Sequence, residues 1–190
     1  MEVFFVSLGL VALAEIGDKT NILAMVLATR YRQPLAIILG ILVATLANHA
    51  LASGVGAAVA AWIGAEAMRW ILAVLFLAMA AWCLIPDKQD EGPKAVGKLG
   101  AFLATAVAFF LVEMGDKTQL ATMALAARFH SIAVVTAGTT AGMLLANVPA
   151  VLFGDAISRR VSLRLVRAVA AISFAILGAL SAFGVELGLF

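Results

Sequence analysis

Long apolar stretches separated by short polar punctuation organise the whole chain. Stretches of about 20 residues, the helix length that crosses a hydrocarbon core of about 30 Å, run over Val3–Ala28, Pro34–Ile63, Arg69–Ile85, Leu99–Ala127, Ile132–Phe153 and Leu165–Phe183. The third is the shortest. Between them stand breakers and charges: Arg30-Tyr31-Arg32-Gln33-Pro34, Glu66 to Arg69, Pro86 to Lys98, Arg128-Phe129-His130 and Asp155 to Arg164. Lipid offers no hydrogen bonds to the backbone, so stretches this long are expected as helices, which bond their own peptide groups. The pattern predicts an all-α membrane protein with six transmembrane helices.

Composition removes the soluble alternative. Hydrophobic residues make up 64% and charged residues 13% of 190 positions, and a globule this small cannot hide so much apolar surface. Mean hydropathy of +1.10 agrees. The formal charge is only +2 and no basic cluster is interleaved with aromatics, which argues against a nucleic-acid partner. The single cysteine, Cys83, lies in an apolar run, which excludes an internal disulfide and a multi-cysteine metal site. No Lys or Arg precedes Lys19, so the first apolar stretch is expected to be a retained span rather than a cleaved leader.

The basic residues set an expected orientation. Arg30 and Arg32, then Lys88, Lys94 and Lys98, then Arg159, Arg160, Arg164 and Arg167 fall in the odd-numbered loops, whereas only Arg69 and Arg128 fall on the other side. The positive-inside rule puts the odd loops in the cytoplasm and both termini outside. The mixed-charge stretch 86–98 reads as a solvated cytoplasmic connector between two three-helix units, residues 1–85 and 99–190. Glu2, Glu66, Asp155 and Glu186 lie near predicted surfaces and need no special role.

The two units repeat each other. Residues 15–30, EIGDKTNILAMVLATR, and residues 113–128, EMGDKTQLATMALAAR, share nine of sixteen positions at an offset of 98, and Leu46-Ala47-Asn48 echoes Leu145-Ala146-Asn147 at 99. An odd number of spans per copy makes the second copy cross in the opposite sense, an inverted-topology repeat of the kind that carries a midplane binding site in secondary transporters. Glu15 lies about 18 Å along a helix from Val3, and Glu113 about 21 Å from Leu99, at 1.5 Å per residue. Both motifs are thus expected near mid-membrane and facing each other.

Ionisable groups at that depth are costly and mark function. On a continuous helix Glu15, Asp18 and Lys19 share a face, as do Glu113, Asp116 and Lys117. Gly17 and Gly115 are candidate hinges where a helix kinks or unwinds; close helix packing is the alternative reading. With both lysines protonated, each motif sums to −1, so two facing motifs carry −2 and one divalent cation cancels it. With the cation gone, about two protons restore neutrality. The expected ligands are Glu15, Asp18, Glu113 and Asp116, joined by Asn48 and Asn147, for which hydrogen bonding between helices is the alternative reading. Such an oxygen-only set suits magnesium, calcium or manganese. Lys19 and Lys117 balance charge, and Thr20 and Thr118 either ligate or bond back to their own helix. Met25 and Met123 also correspond, but each lies about 10 Å along a helix from its motif Asp, which favours apolar packing. His49 has no counterpart and reads as an interhelical hydrogen-bonding residue. The cation is cargo, and no resident cofactor is expected.

Two copies of E-x-G-D-[KR]-[ST] in a six-span chain resemble the family of bacterial manganese exporters and Golgi-type manganese/calcium transporters. The resemblance implies export of manganese, or calcium, from the cytosol in exchange for protons, with the motif Glu and Asp residues binding the ion. The short central stretch resembles the bacterial members, which implies a multi-pass protein of the bacterial inner membrane; a homo-oligomer is left open. Three rivals share some of the features. An intramembrane aspartyl protease would use Asp18 and Asp116 as a proton-sharing dyad. An organic-cation exporter of the lysine type would want an aromatic-lined cavity, and only Phe109 and Phe110 lie near the motifs. A passive channel or a structural subunit would not need opposed charges.

Overall fold

The computed structural model describes residues 1–85, 100–154 and 162–185. Eight helices account for most of these residues: α1 (Glu2–Glu15), α2 (Lys19–Tyr31), α3 (Pro34–Trp62), α4 (Ala65–Leu84), α5 (Ala101–Glu113), α6 (Lys117–Phe129), α7 (Ile132–Phe153) and α8 (Leu163–Ala182). No strand occurs among the described residues. The helices α3, α4, α7 and α8 are long and apolar enough to cross a membrane. The stretch 86–98, and with it Asp155, Arg159, Arg160 and Glu186, lies outside the described residues.

The expected continuous helices over Val3–Ala28 and Leu99–Ala127 do not form. Each stretch is two helices, α1 with α2 and α5 with α6, parted by three residues at 16–18 and 114–116. Hydropathy averaged over the length of a span blurs so short a break, because the apolar residues 3–14 and 22–28 outweigh the polar motif between them. At 1.5 Å per residue the four half-length helices are each about 20 Å long.

Boundaries recur at 98 residues: α2 and α6, and α4 and α8, begin and end at equivalent positions. The C-caps Arg32 and His130, also 98 apart, both adopt the left-handed conformation, with φ of 53° and 51°. Packing follows the same exchange. Helix α1 lies against α7 and α5 against α3, while α3 packs on α7 and α4 on α8. Two glycines let the backbones meet. A Cβ on Gly40 would stand 2.7 Å from the Phe102 carbonyl oxygen, and one on Gly138 would stand 2.6 Å from that of Phe4. Residues 40 and 138, and residues 102 and 4, are equivalent pairs; small residues at crossings are how membrane helices gain close contact.

The principal contacts therefore run between the halves rather than within them. Two apolar clusters result. One joins α1, α4, α6 and α8 through Leu10, Phe76, Met79, Leu125 and Phe174. The other joins α2, α3, α5 and α7 through Leu23, Ile37, Ile41, Phe109 and Val151. Buried polar side chains gather at the two helix breaks: Glu15, Asp18, Asn48, Glu113, Asp116 and Asn147 are all at most 5% exposed.

Candidate metal centre

The break has a defined geometry. Ile16 (φ −59°, ψ 118°) precedes Gly17 (φ 80°), and the Asp18 N–H donates to the Glu15 carbonyl at 3.0 Å. These are the dihedrals and the bond of a type II β-turn, whose third residue needs positive φ and hence glycine. Met114 (φ −64°, ψ 115°), Gly115 (φ 79°) and the Asp116 N–H to Glu113 carbonyl bond at 3.1 Å repeat it. The E-x-G-D motif is thus one turn: its Glu closes one helix and its Asp stands at the N-cap position of the next, where Asp18 but not Asp116 accepts a helix N–H through its side chain. Asp18 accepts from the Lys19 N–H at 2.7 Å. Close packing does not explain Gly115, where a Cβ would meet nothing within 4 Å. The turn also overturns one expectation: Glu15, Asp18 and Lys19 do not share a helical face, nor do their equivalents.

The lysines reach across instead. Lys19 Nζ lies 2.8 Å from Asp116 Oδ1, and Lys117 Nζ lies 3.1 Å from Asp18 Oδ2. Each motif lysine thereby binds the N-cap aspartate of the other motif and ties the halves together by charge. Oxygens of Glu15, Glu113 and Asp116 lie within 4.8 Å of one another. Glu15 Oε2, Glu113 Oε1 and Asp116 Oδ2 are buried and take no hydrogen bond among the described residues. Asp18, bound to Lys117, stands outside this group of three.

Two residues that sequence reasoning missed hold the turns. Asn21 Oδ1 accepts from the Gly17 N–H at 3.1 Å, and Gln119 Oε1 accepts from the Gly115 N–H at 2.7 Å. Their amide nitrogens then cross to the opposite half: Asn21 Nδ2 donates to Asn147 Oδ1 at 2.8 Å, and Gln119 Nε2 donates to Asn48 Oδ1. The signal was present, an amide three residues after the aspartate in both copies, but Asn and Gln differ and so escaped an identity count. The carbonyl oxygens of Asn48 and Asn147 are consequently engaged by these amides. Asn147 Nδ2 faces Glu15 Oε1 at 3.5 Å and the Met143 carbonyl at 3.2 Å, and Asn48 Nδ2 faces the Phe110 carbonyl at 3.4 Å.

The threonines diverge. Thr118 Oγ1 donates to Glu113 Oε2 at 2.8 Å rather than bonding back to its helix, whereas Thr20 Oγ1 is buried with no partner among the described residues. His49 does not bridge helices: it is fully buried and neither ring nitrogen has a partner among the described residues. Met25 packs against the α2–α3–α5–α7 cluster, as expected of an apolar contact. Glu66 is an exposed surface residue paired with Arg69.

What this arrangement can do chemically follows from its charges. Four carboxylates and two ammonium groups, if all ionised, leave −2 in a largely buried space, with Lys19 partly exposed to water. An aspartyl dyad is disfavoured, because a dyad shares one proton between two acids and here each aspartate is ion-paired with a lysine.

Comparison with known proteins points to a family of transporters. The family described as "Divalent cation/proton antiporter GDT1" matches residues 3–91 and 101–187. A Vibrio cholerae protein described as "Putative manganese exporter" is 48% identical over 184 residues, covering 96% of this chain and 92% of its own length. The "GDT1-like protein 3" of rice (Oryza sativa) is 28% identical, covering 91% of this chain and 71% of its own. The "GDT1-like protein sll0615" of Synechocystis is also 28% identical, covering 90% and 92%. No solved structure matches the chain. With both motif-bearing halves spanned by the match, the chain belongs to the GDT1 family of divalent cation/proton antiporters.

Proposed function

We propose that this protein exports a divalent cation, manganese before calcium, from the cytoplasm in exchange for protons. The carrying observation is that carboxylate oxygens from both motifs converge within 4.8 Å. Two oxygens on opposite sides of one calcium ion are about 4.6–5.2 Å apart, twice the usual 2.3–2.6 Å bond. Three oxygens this close lie at most about 2.8 Å from a common centre, so a slight inward closure seats a calcium-sized ion and a further one seats a smaller ion. Glu15, Glu113 and Asp116 are the direct ligands in this reading. Asp18 completes the charge count from the Lys117 side, while Asn48 and Asn147, held by Gln119 and Asn21, orient the shell. The oxygen-only ligand set favours hard divalent ions, and the Vibrio cholerae relative, described as a manganese exporter, supports manganese before calcium.

The proton side rests on charge balance. A divalent cation brings the site from −2 to neutrality, and about two protons do the same when it leaves, so the exchange is expected to be electroneutral. Helices α1 with α2, and α5 with α6, are read as two broken spans beside α3, α4, α7 and α8. This completes six crossings as two inverted repeats, with both termini outside a bacterial inner membrane.

Purified protein in liposomes, with manganese, calcium and magnesium compared under an imposed pH gradient, tests the reading. Glu15→Gln and Glu113→Gln are each expected to abolish uptake while the protein still elutes as a folded species. Normal transport by either variant refutes the shared site.

A further inference from the structure

The helices α4 and α8 obey the repeat in themselves but not in their surroundings. Phe76 and Phe174, 98 residues apart, stack on each other with ring centroids 6.4 Å apart, so the pair is built around the exchange that relates the halves. Yet α8 packs on α1, and α4 on α6. Among the described residues the exchanged contacts, α4 on α5 and α8 on α2, have no comparable packing. The pair has therefore settled on one side of the centre.

The two ends of the pair consequently meet different things. At one end a Cβ on Gly17 would overlap the Leu163 side chain from the first turn of α8. Arg167, one turn further, lines a small cavity of about 10 Å³ with Asp18, Lys117 and Cys83, room for about one water. The equivalent positions at the other end are Ala65, Arg69 and Ser181. These do not reach the second motif; they border a cavity of about 360 Å³ together with Arg128 and His130. The Asp18–Lys117 pair is sealed, with side chains 0% and 6% exposed, while Asp116 and Lys19 are 4% and 26% exposed.

We propose that α4–α8 is the moving gate of the transporter and that Arg167 and Arg69 are its alternating cationic latches, a proposal that rests on the transport reading of the site. In this structure Leu163 and Arg167 close the Asp18 half. In the exchanged state Ala65 and Arg69 close the Gly115–Asp116 half, and the Asp18 half opens. A guanidinium over one half of an acidic site repels a cation from that route and leaves with the helix that carries it. Leucine at 163 covers more surface than alanine at 65, which biases the resting protein toward the state described here.

The single cysteine reports on this gate, since Cys83 and Ser181 are equivalent positions at its two ends. The full-length chain and its C83S/S181C variant, each in liposomes, are labelled with N-ethylmaleimide with and without manganese, at two pH values. Conditions that raise labelling at position 83 are expected to lower it at position 181, each by about fivefold, the change expected from a bias near 1 kcal/mol. R167Q is expected to speed Cys83 labelling and R167K to restore the slow rate. Thiols that rise together, or that stay unchanged in all conditions, overturn the gate, whether or not manganese is taken up. Opposite movement without any divalent uptake upholds the gate and overturns the transport reading instead. The comparison of the two thiols needs no arginine variant to fold.

Discussion

Removing the charge of Lys117 separates the two crossed ion pairs. The Lys117 and Asp18 side chains are 6% and 0% exposed at 3.1 Å, whereas Lys19 and Asp116 are 26% and 4% exposed at 2.8 Å. At an effective dielectric of about 20, each pair attracts by roughly 5–6 kcal/mol before desolvation is counted. Lys117→Met leaves Asp18 charged and shut from water, for which truncation of a buried pair typically costs about 3–5 kcal/mol. Water around Lys19 screens the second pair, so Lys19→Met is expected to cost about half as much. Asp18→Asn in the Lys117→Met background removes the stranded charge and is expected to recover most of the loss. Thermal melting in one detergent reads all four proteins; at about 2–4 °C per kcal/mol the Lys117→Met shift is about 6–20 °C. The double variant keeps Glu15, Glu113 and Asp116 and the net −2 of the site, so it should both fold and retain cation exchange. Equal melting shifts for Lys19→Met and Lys117→Met, or a double variant no better than Lys117→Met, would refute the crossed-pair reasoning.

Three further outcomes are expected. Gly17→Ala and Gly115→Ala both force a left-handed alanine at about 1–2 kcal/mol. Overlap with the end of the Leu163 side chain, relieved by leaving its rotamer at about 0.5–1.5 kcal/mol, falls on position 17 alone, so that variant melts slightly lower and an added Leu163→Ala closes the gap; two equal glycine variants would contradict this. Asn21→Leu and Gln119→Leu each strip a turn N–H of its acceptor and are expected to cost about 1–3 kcal/mol, with manganese uptake falling more than the melting point suggests. Uptake unaffected by either change would remove these amides from the mechanism. Exchange of one divalent cation for two protons moves no net charge, so clamping the membrane potential with valinomycin and potassium should leave the uptake rate unchanged. A potential-driven rate would overturn the proton count.

The chemistry of the site was legible because it repeats. Glu15, Gly17, Asp18, Lys19 and Thr20 recur unchanged at 113–118, and an expectation that the two clusters meet needed only the parity of the spans. The turn was half legible: Gly17 and Gly115 marked a place to unwind, but apolar residues on both sides concealed that α1 and α5 end there. Pairing of Lys19 with Asp116 was not legible, since spacing on one helix favours the local partner and only the turn redirects the lysines. Asn21 and Gln119 were passed over because a backbone N–H that needs an acceptor is created by the turn itself. The one-sided seat of α4–α8 was not legible, because the same 98-residue repeat serves either side and the difference between Leu163 and Ala65 gains meaning only once Leu163 is seen against Gly17.

The packing of α1 on α7 has a consequence for biogenesis. Roughly 120 residues separate the end of α1 from the start of α7, and at about 5–20 residues per second the ribosome needs some 6–24 seconds to supply them. Through most of that interval Asp18 waits for Lys117, and Glu15 waits beyond its end for Asn147. The nascent chain must spend that time somewhere other than open lipid, in the insertion machinery or at its aqueous edge, and acquires its native neighbours only when translation is nearly finished.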